Sequence, residues 1–255
     1  MIVALVMVTV VFANNFLDAR IAENEFSSSR QFMLTTGLQV DDVAWTIGRT
    51  QTVRYSSRYG NLQFEPSVLG YSFEVSYDGG STWELALSVT TGIILYNMPT
   101  SEVTYGNNYF ERIFPSNDSF LLSGSSAPVT HVFAVEKLPM PDGSYTRVVA
   151  APSLRMLSST VGVTSYFKFY LPSLDEGTNK YLSQSITLQG KAVDKVKVEG
   201  ATQVRITVTF PAESQGYDST FFNFESSSEV VDTDPDGAVV EFYVGTVTVS
   251  IGLTT

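Results

Sequence analysis

Three aspartates at alternate positions in the stretch "DTDPDG" have the residue type and spacing that most directly suggest chemistry. Asp232, Asp234 and Asp236, followed by Gly237, match the start of a calcium loop, where carboxylates converge on one cation and glycine permits a sharp turn. The position at which an EF-hand carries its bidentate glutamate is Tyr243, so a standard EF-hand is excluded. The stretch predicts either a looser structural calcium site or a solvated acidic turn between two strands.

Asn117 opens the single N-x-S/T sequon of the chain, "NDS". The surrounding stretch, "FPSNDSFLLSGSS", is rich in serine and is typical of an exposed loop. If the chain is exported, this asparagine becomes accessible to glycosylation enzymes, so Asn117 is a candidate N-glycosylation site.

The stretch "SYDGGSTW", from Ser76 to Trp83, matches the S-x-D-x-G-x-T-W pattern of the Asp-box. In this pattern Asp78 accepts backbone N–H groups across a turn, and Gly79 and Gly80 supply positive φ. Sialidases and other propeller proteins carry several such boxes as folding elements, whereas this chain has one box and no propeller repeat. We therefore expect a structural hairpin turn here and not a glycosidase site.

The other chemistry-bearing residue types argue against an enzyme. The chain has no cysteine and one histidine, His131, which excludes a thiol nucleophile, a multi-histidine metal site and a Ser-His-Asp triad. No P-loop or G-x-S-x-G motif is present, and the 26 acidic residues single out no carboxylate pair. We expect no catalytic site and no cofactor apart from the candidate structural calcium. His131 lies in an alternating apolar strand and is expected to be structural.

Composition limits the class of partner. The 255 residues are 44% hydrophobic and 13% aromatic, which is enough to bury a core, and they carry a net charge of −11. Because nucleic acid phosphates are bound by Lys and Arg, we expect no nucleic acid partner. Seventeen Phe and thirteen Tyr favour strands over helices.

The elements that must position these motifs divide the chain near residue 55. Residues 1–55 contain no proline, and their large apolar side chains recur at helical spacing, with charged residues such as Glu25 in the gaps. This pattern predicts one long amphipathic helix over about residues 1–55, with Gly37 and Gly48 as points of bending. The first apolar stripe comprises Phe12, Phe16, Phe26, Met33, Val40 and Ile47, and the second comprises Leu17, Ile21, Phe32 and Leu38.

From about residue 56, short apolar/polar alternations are separated by Asp-Gly and Gly-Gly turn clusters. Roughly ten strands at this spacing predict an antiparallel sandwich or barrel. The predicted fold class is therefore α+β. It consists of a long N-terminal α-helix, about residues 1–55, and an antiparallel β-sandwich head, residues 56–255.

The opening stretch, "MIVALVMVTVVFANNF", is too apolar to stand free in water, and three interpretations are open. A secretory signal peptide would carry a basic n-region, which this stretch lacks. As a membrane anchor, its roughly 17 mostly apolar residues lie at the lower limit, and Asn14 and Asn15 fall inside them. A helix buried against copies of itself lets both asparagines hydrogen-bond to neighbours, and we favour this interpretation.

Three features together resemble the archaeal type IV pilin and archaellin superfamily. They are the aliphatic start, the continuation "ENEFSSSRQFMLTTGLQVDDVAWTIGRTQTVRYSSRYG" and the all-β C-terminal region. The part "DDVAWTIGRTQTVRYSSRYG" is similar to the helix-to-head junction of archaeal pilin-like surface proteins. The resemblance covers residues 1–60, and the head only by fold class. Leu5 stands where bacterial pilins carry glutamate, and Met1 begins the apolar run without the basic leader of a precursor.

The resemblance implies a structural subunit of an extracellular, cell-surface filament that is embedded in the membrane before assembly. Its partners would be identical subunits in a helical polymer, together with a prepilin peptidase and a membrane assembly platform during biogenesis. The head would face solvent for adhesion or cell-surface contact.

We expect two sets of side chains to carry assembly. The filament-core interface comprises Ile2, Val3, Leu5, Val6, Val8, Val10, Val11, Phe12 and Phe16. The set expected to pack the helix against the head or against neighbouring subunits comprises Phe26, Phe32, Met33, Leu38, Val40 and Ile47. Two other functions stay open: a monomeric, membrane-anchored surface adhesin or minor pilin, and a secreted carbohydrate-binding β-domain.

Overall fold

The fold is known from a computed structural model, which describes residues 2–179 and 184–252. The chain is mostly β, with 54% of residues in strands and 17% in helix. The helices are α1 (Ile2–Ala44) and α2 (Ser219–Phe222), with a 3-10 turn at Glu213–Gln215. The strands are β1 (Thr50–Arg54), β2 (Asn61–Ser76), β3 (Glu84–Pro99), β4 (Tyr109–Phe114), β5 (Leu121–Ser123), β6 (Thr130–Glu136), β7 (Tyr145–Pro152), β8 (Leu154–Val161), β9 (Thr164–Asn179), β10 (Ser185–Ala201), β11 (Gln203–Thr209), β12 (Ser228–Asp232) and β13 (Ala238–Ile251).

The strands form two sheets. The six-stranded sheet has the order β1-β10-β13-β9-β8-β5, and the seven-stranded sheet has the order β12-β11-β2-β3-β7-β6-β4. Pairing is antiparallel except between β13 and β9 and between β5 and β8. The prediction of a β-rich, sandwich-like fold with an N-terminal helix is confirmed at this level.

The helix α1 ends earlier than the sequence pattern predicts. It stops at Ala44, and Gly48, with φ of +82°, turns the chain into β1. Residues 50–54, predicted as helix, instead pair with β10 as the edge strand of the six-stranded sheet. Their composition, "TQTVR", favours this outcome because threonine and valine are β-branched and pack well on a pleated surface. The predicted helix boundary near residue 55 is therefore wrong.

The protein has two hydrophobic cores. One lies between the sheets and is centred on contacts among Phe73, Phe169 and Phe242. The other is built around the C-terminal half of α1 and includes Phe26 and Met33. Strands β3, β6 and β7 contribute alternate side chains to both cores, so β6 is buried along its whole length.

Glycines allow the end of α1 to approach the six-stranded sheet closely. A Cβ atom at Gly190 would lie 2.5 Å from the carbonyl oxygen of Thr46, and one at Gly245 would lie 2.5 Å from that of Ala44. Both distances are too short for any side chain, so these two positions require glycine. The C-terminal end of the helix is thereby held closely against the six-stranded sheet.

Candidate assembly interface

The helix α1 has two halves that differ in burial. From Ala22 onward it presents buried side chains to the β-sheets, including Phe26 and Val40. Before Ala22 the described apolar side chains face solvent: Val10 is 52% exposed and Phe16 is 61% exposed. Leu17 and Ile21 continue this surface and are also exposed. We call these four residues, Val10, Phe16, Leu17 and Ile21, the exposed apolar surface of α1.

The predicted filament-core set falls on the first half of the helix. Of its nine members, Val10 and Phe16 have described side chains, and both belong to the exposed apolar surface. The helical backbone begins at Ile2. The other side chains of the set lie outside the described residues: Ile2, Val3, Leu5, Val6, Val8, Val11 and Phe12.

The predicted packing set divides in two. Phe26, Phe32, Met33 and Val40 are buried in the core around α1. Leu38 is 49% exposed because it lies on the opposite side of the helix from the buried residues 33, 36, 37 and 40. Ile47 lies beyond the helix end and is 67% exposed. These two residues do not pack against the head, and their packing against neighbouring subunits, the other alternative for this set, stays a prediction.

Glu25 connects the helix to the head at the point where α1 leaves the β-structure. Its carboxylate accepts backbone N–H groups of Arg58 (2.8 Å) and Gly60 (2.8 Å), and the hydroxyls of Tyr96 (2.7 Å) and Ser57 (2.7 Å). Burial alone would raise the pKa of Glu25, but these hydrogen bonds outweigh it and hold the pKa below its usual value. The sequence pattern assigned this glutamate to a solvated gap between apolar positions. No local signal marks it, since its partners come from distant segments.

A groove of about 510 Å³ runs along the helix beside this junction. Its helical wall includes Ile21 and Phe32, and its other wall is formed by residues 54–58. Asp18 reaches across the end of this region to Arg58, with a nitrogen-to-oxygen distance of 3.3 Å. The exposed apolar surface of α1 therefore runs directly into a groove at the base of the head, through Ile21.

The Asp-box forms the structural turn expected of it. Asp78 accepts the backbone N–H of Thr82 at 2.9 Å and its hydroxyl at 2.7 Å, and also accepts the hydroxyl of Ser76 at 2.8 Å. These bonds lower the pKa of Asp78 to about 2. Gly79 and Gly80 have φ of +70° and +91°, as the turn requires.

The three aspartates of the calcium prediction do not converge on one point. Asp234 accepts the hydroxyl of Ser165 at 2.6 Å and the backbone N–H of Asp236 at 3.1 Å, and Asp232 accepts the side-chain amide of Gln203 at 2.7 Å. Within residues 2–179 and 184–252, no group of three or more His, Cys, Asp or Glu side chains is arranged to hold a metal ion. The described residues form an acidic turn between β12 and β13, and calcium binding there stays a prediction.

Asn117 lies exposed between β4 and β5. Its side-chain oxygen accepts the backbone N–H of Ser119, the third residue of the sequon, at 2.7 Å. Glycosylation at Asn117 stays a prediction.

Two findings complete the description of the site. Among the residues that the structure describes, none of the helices combines the length and the apolarity needed to cross a bilayer. No family model matches the chain, and no curated protein and no solved structure is significantly similar to it.

Proposed function

We propose that this chain is the structural subunit of an extracellular type IV pilus-like filament, polymerised through its N-terminal helix. In this proposal the first half of α1 packs among identical subunits, and a β-sandwich head faces solvent for adhesion or cell-surface contact. Biogenesis would involve a prepilin peptidase and a membrane assembly platform. One observation carries the proposal: a single helix is buried in its own head from Ala22 onward and presents an apolar surface to solvent before it.

The energetics favour burial of the exposed apolar surface. Fully burying one large apolar side chain contributes roughly 1.5–3 kcal/mol, so the four described residues represent several kcal/mol per subunit. A filament repeats this contact against several neighbours, which helps to offset the entropy lost on association. Large exposed apolar patches on soluble proteins mark protein or membrane interaction sites.

The junction at Glu25 and the two glycine contacts support a mechanical role. Tension applied to the first half of α1 passes through Glu25 to residues 57–60 and to Tyr96 of β3. It also passes through Gly190 and Gly245 to the centre of the six-stranded sheet. A subunit anchored in this way keeps its head folded while its helix bears load.

The decisive experiment compares two exposed apolar residues replaced by aspartate. Phe16→Asp changes the exposed apolar surface of α1, whereas Val163→Asp changes a 99% exposed residue in the turn between β8 and β9. Neither side chain is part of a core, so both heads should fold. We expect normal filaments from Val163→Asp and none from Phe16→Asp in negative-stain images, because a charge at a buried contact costs several kcal/mol.

Three outcomes would contradict the proposal. The first is normal filaments from Phe16→Asp. The second is a wild-type chain that stays monomeric and requires detergent, which would support the membrane-anchored adhesin. The third is a wild-type chain that stays monomeric without detergent, which would support the secreted β-domain.

A further inference from the structure

A small pocket on the head lies beside a β-bulge in β2. The pocket has a volume of about 210 Å³ and is lined by Glu65, Pro141, Asp142, Gln215 and Tyr217. The pairing of β2 with β3 shifts register between Glu65 and Leu69. Bulges of this kind redirect side chains and are common beside functional sites.

The backbone around the bulge is unusual. Ser67 has φ of +53°, a conformation that residues other than glycine rarely adopt. On the neighbouring strand, a Cβ at Gly92 would lie 2.6 Å from the carbonyl oxygen of Glu65, so glycine is required there. Glu65 therefore reaches the pocket from a strained backbone segment at Ser67, packed against a neighbouring strand that has no side chain at Gly92.

A layer of buried polar groups supports the pocket from behind. Arg147 is 1% exposed and binds Asp142 through two hydrogen bonds, of 2.8 and 2.6 Å. Asn97, which faces Arg147 in the pairing of β3 with β7, is also 1% exposed and donates to Gln63 at 2.6 Å. Gln63 in turn donates to Oε1 of Glu65.

The carboxylate of Glu65 lacks a compensating charge. Asp142 is neutralised by Arg147, but no ion pair to Glu65 is formed by the residues that the structure describes, and its Oε2 accepts no hydrogen bond from them. Burial raises the pKa of Glu65, and the charges of Asp142 and Glu176 raise it further, against the opposing effects of Gln63 and Arg147.

The charges and shape of the pocket select among ligand classes. An anion would be repelled, and a neutral polyol would leave the charge on Glu65 uncompensated. A Ca²⁺ ion needs six to eight oxygen ligands, whereas both oxygens of Asp142 are already engaged by Arg147. An ammonium group on an alkyl stem fits the pocket. Its positive charge pairs with the carboxylate of Glu65, and its stem packs against the apolar walls formed by Pro141 and Tyr217.

We propose that this pocket binds a primary ammonium group of the lysine type, held by Oε2 of Glu65 and flanked by Tyr217 and Gln215. On a head that faces solvent, such a pocket would receive a lysine side chain from a partner protein. The inference does not depend on assembly, since the pocket lies entirely within the head.

Equilibrium dialysis of the full chain against n-pentylamine tests this proposal, because dialysis works for filaments and monomers alike. We expect saturable binding that becomes about tenfold weaker in Glu65→Gln, as fits the loss of a partly desolvated charge pair. The matched control is Glu74→Gln, on the same strand, where Arg205 already binds the carboxylate at 2.7 Å. This control removes an equal charge and should leave binding unchanged. The neutral analogue N-pentylacetamide should not bind.

The pH dependence supplies a second readout. Titratable or charged groups facing Glu65 are Asp142 and Arg147 beside it, Glu176 on β9 and Tyr217 on the neighbouring loop. As pH falls from 7 through the raised pKa of Glu65, pentylamine binding should be lost in the wild type, while Glu65→Gln shows a flatter profile. Absence of saturable binding, equal binding of N-pentylacetamide, or equal weakening in Glu74→Gln would each overturn the proposal.

Discussion

Arg112 donates a hydrogen bond from Nη1 to Nδ1 of His131, 2.9 Å away, inside the head. Because arginine has no acceptor, Nδ1 of His131 must be unprotonated, and its Nε2 then donates to the backbone oxygen of Ser119 at 3.1 Å. The guanidinium also donates to the backbone oxygen of Asn223 at 2.9 Å. The only histidine of the chain is therefore held neutral as a structural bridge, as its place in an alternating strand predicts.

This arrangement makes the stability of the head sensitive to mild acid. Burial, and then the charge of Arg112, lower the pKa of His131 to about 3 in the folded state. The unfolded state, with an ordinary histidine pKa, binds one more proton between about pH 3 and 6.5, so stability falls as pH falls through this window. Lowering the pH from 7 to 5 should cost roughly 2 kcal/mol of unfolding free energy.

Urea denaturation at pH 7 and pH 5 measures this effect, with His131→Gln as the matched variant. Glutamine can keep both hydrogen bonds but does not titrate. We expect the wild type to lose stability between the two pH values and the variant to lose little. An equal loss in both proteins would show that other groups carry the pH dependence.

Replacement of Glu25 by alanine should weaken the junction between α1 and the head. The change removes the acceptor for three backbone N–H groups, of Arg58, Tyr59 and Gly60, and for the hydroxyls of Tyr96 and Ser57. Hydrogen bonds to a charged group are the stronger kind, so we expect a loss of about 2–3 kcal/mol in chemical denaturation. The control is Glu23→Ala, which removes an exposed ion pair with Arg20 and should change stability by less than about 1 kcal/mol. Equal losses would contradict the role assigned to Glu25.

Two glycine-to-alanine substitutions should differ sharply in their effect on the free energy of unfolding. In Gly245→Ala the new Cβ would lie 2.5 Å from the backbone oxygen of Ala44, which cannot move without displacing the helix. In Gly37→Ala the nearest atoms are 3.0 Å away and belong to the side chains of Thr130 and Val132. We expect Gly245→Ala to cost about 3 kcal/mol by overpacking, whereas the higher helix propensity of alanine keeps Gly37→Ala within about 1 kcal/mol of wild type.

Thermal unfolding of the two glycine variants provides the measurement. A Gly245→Ala protein as stable as wild type would show that the helix end is not fixed against the sheet. In that case the proposed transfer of tension through Gly245 would also fail.

Local pattern was sufficient for the elements whose partners are close in sequence. The alternating runs predicted the β-rich class. The Asp-box predicted its turn because Asp78 forms hydrogen bonds with groups within four residues of it. Helical spacing placed Phe26 and Met33 on the buried side of α1. Periodicity could not find the helix end, since residues 50–54 become a strand only by pairing with β10.

Features that depend on two layers or on distant partners could not be read from the sequence. The run Ile93–Met98 is buried on both faces because α1 covers one side and the other sheet covers the opposite side. Alternation of apolar and polar residues indicates a strand with one buried face. It therefore did not predict that α1 covers the second face of these strands. The charge of Arg147 acts on Glu65 because a bulge and sheet pairing bring these distant residues near each other, which spacing in the sequence does not encode.

The position of β13 has a consequence for biosynthesis. This strand lies between β10 and β9, so its neighbours are translated first and do not pair with each other. A nascent chain that has emerged only as far as β12 lacks the strand that joins β10 to β9 in the six-stranded sheet. Pairing across such long sequence separations is slow. The six-stranded sheet can therefore close only after β13 itself has been translated and has paired with both neighbours.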